Sequence, residues 1–360
     1  MSEPLPAHPP RWRLIIPYVG IAAVVGLLAA AFAWTAGWLT PSRVTAPRLV
    51  DTIENGKPFP GFRRAHARGV CVAGYFKPTA EGAVLSKARV FTQATTPALG
   101  RLSIGGGDPY GLEGAARVRS LALQLDTDNG QRWRLAMNSF PFFAVSTPQA
   151  FAEQILASRP GPATGKPDPE AMKAFLQRHP EAANFMAWAV SAPWSNSFAN
   201  TRYNGVHAFR FSNADGEERY VRWSFVPEAA FEPLDADQRQ SGNASLLTDE
   251  LQSRLARGPL RWSLELTLAE PGDPIEDPSQ AWPEARTRVS AGTFVLERAY
   301  DQATGDCRDL NFDPTVLPAG ISASGDPVLA ARAAAYAVSF NRRQRELAAG
   351  ARSSADEGEQ

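Results

Sequence analysis

The sequence predicts an α+β fold: a closed antiparallel β-barrel with surrounding helices, preceded by one N-terminal transmembrane helix. Three observations lead there. Short runs rich in β-branched and aromatic residues recur at hairpin-like spacing through the first half of the chain. Helical patterns are interspersed among them without the strand-helix-strand rhythm of a parallel sheet. Residues 14–42 pass without one charged side chain.

Residues 1–13 are proline-rich and are expected in the cytoplasm. The uncharged run LIIPYVGIAAVVGLLAAAFAWTAGWL exceeds the roughly 20 residues a bilayer requires, so residues 14–38 read as an uncleaved anchor. A signal peptide has a shorter apolar region, although Ala31-Phe32-Ala33 has the form of a cleavage site. Arg11 and Arg13 before the run, against Arg43, Arg48 and Lys57 after it, leave the charge balance nearly even. The reading adopted places the large domain outside, in a bacterial periplasm. Residues 39–58, with prolines at 41, 47 and 58 and little apolar periodicity, read as a linker or arm.

The main domain then runs over 59–345. Strands are expected at Gly69–Phe76, Ala88–Phe91, Ser120–Asp126, Gln131–Met137, Val206–Phe211, Tyr220–Val226, Leu260–Leu268 and Thr293–Arg298, with turn residues such as Asp128-Asn129-Gly130 between some of them. Helices are expected at Pro148–Ser158, Pro169–His179, Glu181–Ser191, Thr248–Arg257 and Asp326–Arg343. The polar tail over 346–360 is expected to be disordered.

The chain has 360 residues, 44% apolar and 21% charged, and its 37 basic and 37 acidic side chains cancel. No electrostatic case for a nucleic-acid partner exists. Serine-hydrolase, phosphate-loop and dinucleotide motifs are absent, and Gly105-Gly106-Gly107 lacks the lysine of a phosphate loop. Cys71 and Cys307 have two readings: a disulfide in an oxidising compartment, or two buried thiols.

Chemistry narrows to few residues. Of His8, His66, His179 and His207, the first precedes the apolar run, the third reads as a solvated helix cap, and the fourth as a satisfied core or surface histidine. His66, among Arg63, Arg64 and Arg68, has its charged form disfavoured and is a candidate base. Arg332 and Tyr336 are one helical turn apart and share a face. A phenol ionises at about pH 10 in water, a guanidinium against its oxygen favours phenolate, and phenolate is a ligand for ferric haem iron.

Several segments resemble catalases in order along the chain. RRAHARGVCVAGYF is similar to their distal haem segment, MNSFPFF to their distal Asn-Thr-Pro-x-Phe-Phe, and FDPTVLPAGI to the segment before the proximal helix. RAAAYAVSFNRR is similar to their Arg-x-x-x-Tyr ligand helix. The similarity covers about 59–343 and looks most like the shortened, catalase-related haem peroxidase group. It implies a catalase-type barrel holding haem b, with Tyr336 as the axial iron ligand and Arg332 as its partner. It further implies His66 as the distal acid and base, Asn138 as the donor to bound peroxide, and Ser103 as the serine that orients the histidine. Arg63, Arg101 and Arg343 match arginines around the haem propionates, and Phe151 a phenylalanine stacked on the haem.

Three departures from the catalase pattern stand out: Ala65 where a valine is usual before the histidine, Arg117 in place of a channel aspartate, and Val338 in place of an aspartate after the ligand tyrosine. They imply a wider channel suited to organic hydroperoxides, with hydrogen peroxide a weak substrate and an unknown electron donor. The alternatives are a true catalase, a hydroperoxide isomerase, and a non-catalytic haem or lipid carrier. Lacking the arms and domains that interlock large catalases, the chain is expected to be a monomer or homodimer.

Overall fold

The structure, a computed structural model, describes residues 12–36, 39, 44–56, 58–161 and 164–358, with the side chains of 12–15 and 351–358 excepted. The expected N-terminal segment therefore lies almost wholly outside the described residues, as does much of the stretch joining the apolar helix to the rest. Helix α1 (Trp12–Thr35) forms a unit of its own. Its Ile16–Thr35 stretch has a mean hydropathy of 2.2 and none of it is buried, so it is long and apolar enough to cross a membrane.

The second unit begins with α2 (Ala46–Glu54), inside the span expected to be linker. This is a correction: Leu49 and Val50 are buried on one helical face although the other face is charged, and so short a stripe is easily read as aperiodic. The barrel follows. Strands β1 (Gly69–Pro78), β2 (Thr96–Ile104), β3 (Arg119–Asp126) and β4 (Arg132–Asn138) are antiparallel neighbours. Between β1 and β2 lie α3 (Ala80–Leu85) and a single 3-10 turn, Arg89–Phe91, where a strand was expected; Val90 and Phe91 are apolar because they are buried, not because they pair.

After α4 (Pro148–Ala157), α5 (Pro169–Arg178) and α6 (Ala182–Ser191), the chain returns to the sheet through β5 (Tyr203–Asn204), β6 (Phe209–Ser212) and β7 (Glu218–Pro227). Two short helices, α7 (Ala236–Gln240) and α8 (Leu246–Leu255), precede β8 (Leu260–Leu268) and β9 (Arg288–Asp301). β5 bridges β4 to β7, β7 pairs with β8, β8 with β9, and β9 with β1, which closes an eight-strand antiparallel barrel. β6 and β10 (Ile321–Ala323) extend one flank. Closure requires a bulge in β1 at Ala73/Gly74, where a side chain on Gly74 would collide with the Val295 carbonyl.

Helix starts follow side-chain chemistry. Thr147 and Asp168 accept from the backbone at the first turns of α4 and α5, each followed by proline. The last helix, α9 (Pro327–Gly358), is capped by Asp326 Oδ1, which accepts from Val328 N and Leu329 N. It outruns the expected end at 343, and the tail expected to be disordered from 346 starts as helix. Glu346 accepts from Gly61 N at 2.8 Å and pairs with buried Arg64, a tertiary anchor that composition does not reveal.

Strand parity sets where everything sits. In β3, Leu121, Leu123 and Leu125 are fully buried in the barrel core with Leu102, Trp133, Leu135, Trp223 and Trp262. The alternate residues Ser120 and Ala122 face outward, as do Arg101 and Ser103 of β2 and Ala136 and Asn138 of β4, and these line a cavity between the barrel wall and helices α2, α4 and α9. Cys71 of β1 and Cys307, beyond β9, form a disulfide with Cα atoms 5.5 Å apart, closing a separation of 236 residues. Replacing Cys307 by serine should cost about 2–5 kcal/mol of stability. A lowered Tm, matched by reduction of the unaltered protein with a phosphine, is the expected outcome.

Candidate active site

The cavity holds about 620 Å³ and draws on both ends of the domain. Its most apolar parts are Leu49, Val50 and Ile53 of α2 and an aromatic wall in which Phe143 lies 5.1 Å from Phe151 and Phe140 5.4 Å from Phe185. Every residue given an expected role lines it: His66, Asn138, Ser103, Arg63, Arg101, Phe151, Arg332, Tyr336 and Arg343.

On α9, Arg332 donates from Nη2 to the Tyr336 hydroxyl oxygen at 3.3 Å and to the Ala136 carbonyl at 3.3 Å. Its Nη1 lies 2.7 Å from His207 Nε2, and His207 Nδ1 lies 2.5 Å from Asp326 Oδ2. A guanidinium only donates, so Nε2 is the acceptor and the ring proton sits on Nδ1, directed at Asp326. Burial, opposed by Asp326 and aided by Arg332, holds His207 down to about 4, so the imidazole is neutral. Asp326 thus caps the helix with one oxygen and orients this relay with the other. His207 was read as a satisfied core or surface histidine; it is fully buried and satisfied, and its partner is the arginine beside the tyrosine. The network exists even though Val338 stands where an aspartate was expected.

His66 sits on the opposing wall in a left-handed turn (φ 54°), a conformation uncommon outside glycine. The turn is pinned by Ala67, whose N–H reaches the Gly106 carbonyl at 3.0 Å and whose carbonyl accepts from Arg101 at 2.9 Å and Gln302 at 3.1 Å. Gly107 explains the glycine run: a side chain there would meet the Arg64 carbonyl at 2.7 Å. Burial first, then Arg101 and Arg332, hold His66 down to about 4. Its Nδ1 is 3.0 Å from Ser120 Oγ, and Ser120 donates to Asn138 Oδ1 at 2.5 Å. The serine bonded to the ring is therefore Ser120, not Ser103, which stands directly across from it in β2. Sequence motif matching pointed to Ser103; strand parity and register opposite Asn138 are the signals that find Ser120.

Arg63, Arg101 and Arg343 converge at one end. Arg63 donates to the carbonyls of Cys307 (3.0 Å) and Leu310 (2.7 Å), and Arg101 to Gln302 Oε1. Buried Arg343 leaves Nε and Nη2 without a hydrogen-bond partner. Burial and mutual repulsion push Arg63 well below the usual guanidinium range, and Arg101 to about 9. Asp309, 4.0 Å from Arg343 Nε, sets one carboxylate against three guanidinium groups, so the cluster suits a further anion. Arg117 does not belong here: it donates to the Trp188, Ala189 and Ala192 carbonyls that end α6, with its guanidinium 4.2 Å from the Trp188 ring. The charge expected in the channel is spent on a helix terminus.

A closed barrel with a half-buried, arginine-backed tyrosine on one helix, facing a neutral histidine and an asparagine across a cavity, has the architecture of a cofactor-binding redox barrel. The sequence profile of the catalase family matches residues 60–346. A catalase-related peroxidase of Synechococcus elongatus is 37% identical over 338 residues, 94% of this chain and 97% of that one. One of Mycolicibacterium paratuberculosis is 34% identical over 85% of this chain and 96% of its own. Among solved structures, a fungal catalase superposes with a TM-score of 0.72 at 22% identity, covering 80% of this chain and 60% of the catalase. The chain belongs to the catalase family and is an oxidoreductase acting on peroxide.

Proteins of this family bind haem, and the residues present fit it: a largely apolar cavity, a phenol oxygen on α9, and two guanidinium nitrogens of buried Arg343 without a hydrogen-bond partner, suited to carboxylates. The two depressed histidines give a pH prediction. As pH falls through about 6.5, unfolded chains protonate both imidazoles, whereas the folded protein refuses until about 4. The unfolded state binds more protons throughout that window, so stability should fall as pH drops from about 6.5 to 4. A urea midpoint that already declines between about pH 6.5 and 5 is expected; one that rises there contradicts the assignment.

Proposed function

We propose that the protein is a haem b peroxidase that reduces organic hydroperoxides, and hydrogen peroxide weakly, with electrons from a donor of unknown identity. The observation that carries this reading is the opposition of neutral His66 and Asn138 to the Arg332-backed Tyr336 across one apolar, arginine-ended cavity.

Haem, when bound, supplies the electron-transfer chemistry at iron. Tyr336 would provide the oxygen that binds the iron, with the Arg332 charge held against it by His207. Arg63, Arg101 and Arg343 would hold the propionates, and Phe151 and Phe143 would pack on the ring. His66 accepts the proton from the near oxygen of the hydroperoxide and returns it to the far one, so that water or an alcohol leaves in place of an anion. Asn138 donates a hydrogen bond to the substrate oxygen. Ala65 beside His66, with Leu49, Val50, Ile53 and Ile155 along the wall, offers an apolar path for an organic substituent. Because Arg117 is engaged elsewhere, the case for organic substrates rests on these apolar residues and not on a reversed channel charge.

The reading places the apolar helix in a membrane as a single-pass anchor with the enzyme on the periplasmic side, as a monomer or homodimer; the disulfide supports an oxidising compartment. A non-catalytic carrier would have no use for a neutral base linked through Ser120 to an amide.

Purified haem-loaded protein should turn over tert-butyl hydroperoxide with a chromogenic donor at a higher kcat/KM than hydrogen peroxide, and release little oxygen. Rapid oxygen evolution from hydrogen peroxide alone would establish a true catalase instead. Replacing His66 by alanine should lower peroxide reduction by about 100-fold or more while leaving haem bound, whereas Tyr336→Phe should change the spectrum and weaken haem retention. Unchanged turnover in H66A would remove the assigned role.

A further inference from the structure

We propose that the Cys71–Cys307 disulfide positions the arginine end of the cavity, so that haem is retained tightly while the bridge is intact and is lost faster once the bridge is reduced. This rests on the reading given above of Arg63, Arg101 and Arg343 as the groups that hold carboxylates.

One stretch of chain, residues 302–312, meets all three arginines. Gln302 Oε1 accepts from Arg101 Nε at 2.9 Å. The Cys307 and Leu310 carbonyls accept from Arg63 Nη2 at 3.0 and 2.7 Å, and the Phe312 ring lies 5.8 Å from the same guanidinium. Asp309 Oδ1 is 4.0 Å from Arg343 Nε. Leu310, Asn311 and Phe312 line the cavity itself. Gln302 follows directly on β9, yet the stretch belongs to no strand or helix. Among the described residues its backbone-to-backbone hydrogen bonds are local turns, from Arg308 N to the Gly305 carbonyl and from Leu310 N to that of Cys307. A segment with so little ladder of its own opens readily, and the disulfide supplies the missing tether.

The other end of the bridge is placed to matter. Cys71 alternates in β1 with Val70 and Val72 of the barrel core, so its sulfur faces outward, and it stands directly across from Arg101 in β2. Both cysteines are fully buried, in one cluster with Phe312, Leu310 and Tyr336. The bridge thus ties the acceptors of Arg63 to the strand pair that carries Arg101. With those acceptors fixed, the guanidinium groups are gathered before any anion arrives, and binding pays less to order them. Reduction takes two electrons and two protons from a dithiol, which leaves as its own disulfide, and returns free thiols at Cys71 and Cys307. The stretch can then lift, Arg63 loses both carbonyls, and like charges spread apart. Haem is held fast only where disulfides persist.

The test is the rate at which the full-length haem-loaded protein gives up haem to excess apomyoglobin, a readout that needs no peroxide turnover. Reduction by a phosphine, verified by titration of both thiols, should speed transfer by about 10- to 100-fold. Reoxidation should restore the slow rate, and the double variant Cys71→Ala, Cys307→Ala should transfer fast with or without phosphine. Haem dimethyl ester, whose propionates are blocked, should leave at one rate in both states, an outcome that a bridge acting only on fold stability would not give. Equal rates for free-acid haem in bridged and reduced protein overturn the proposal, as does an equal acceleration of both cofactors. Should the ester and the free acid leave the bridged protein equally fast, the arginine assignment fails and the proposal with it.

Discussion

The guanidinium of Arg332, half-buried in the cavity wall, is the junction on which the cavity depends. A charge partly withdrawn from water is costly unless its donors find acceptors, and Arg332 finds three: the Tyr336 oxygen, the Ala136 carbonyl and His207 Nε2. The imidazole can accept only because Asp326 takes its other proton, and Asp326 is free to do so because one of its oxygens suffices to cap α9. Helix start, strand β4 and the tyrosine are therefore tied at one point. The backbone bears a share of the cost: Val206, next to His207, adopts φ 51°, a region that a β-branched residue rarely enters.

The barrel contributes by alternation. Its inward residues form a leucine and tryptophan core that fixes strand register, and register in turn fixes the outward row Ser103, Ser120 and Asn138. A slip of one residue would send these polar groups into the core. The site's precision on that wall is thus inherited from packing that never touches substrate. On the helical wall, precision comes from ion pairs instead: Arg64 binds Glu54 and Glu346, and Arg342 binds Asp51 and Glu54, so α2 is held against α9.

Much of this was legible in the residues. The one-turn spacing of Arg332 and Tyr336, the arginines around His66 and the apolar first helix each have a local physical meaning, and helices α4 and α5 announce themselves by their Thr-Pro and Asp-Pro starts. What stayed hidden is non-local. β2 carries Pro97 and Gly100, so its strand character comes from partners on both sides and not from its own composition. Ser120 and Ser103 look alike in sequence, and only pairing across β3 and β4 separates them. Arg117 reads as a channel charge until the end of α6 is placed beside it. His207 and Asp326 lie 119 residues apart, and no spacing rule joins them.

Cys307 and Leu310 supply the carbonyls that hold Arg63, and α9 supplies Tyr336 and Arg343, while Arg63 and His66 lie near the other end of the domain. A ribosome has made the barrel's first four strands and most of its wall before any of these later partners exists. The nascent domain therefore passes through a long interval with one half of its cleft built and nothing to close against. The cavity cannot be complete until α9 is made, and a chain halted before that helix would be a barrel with no tyrosine facing its histidine.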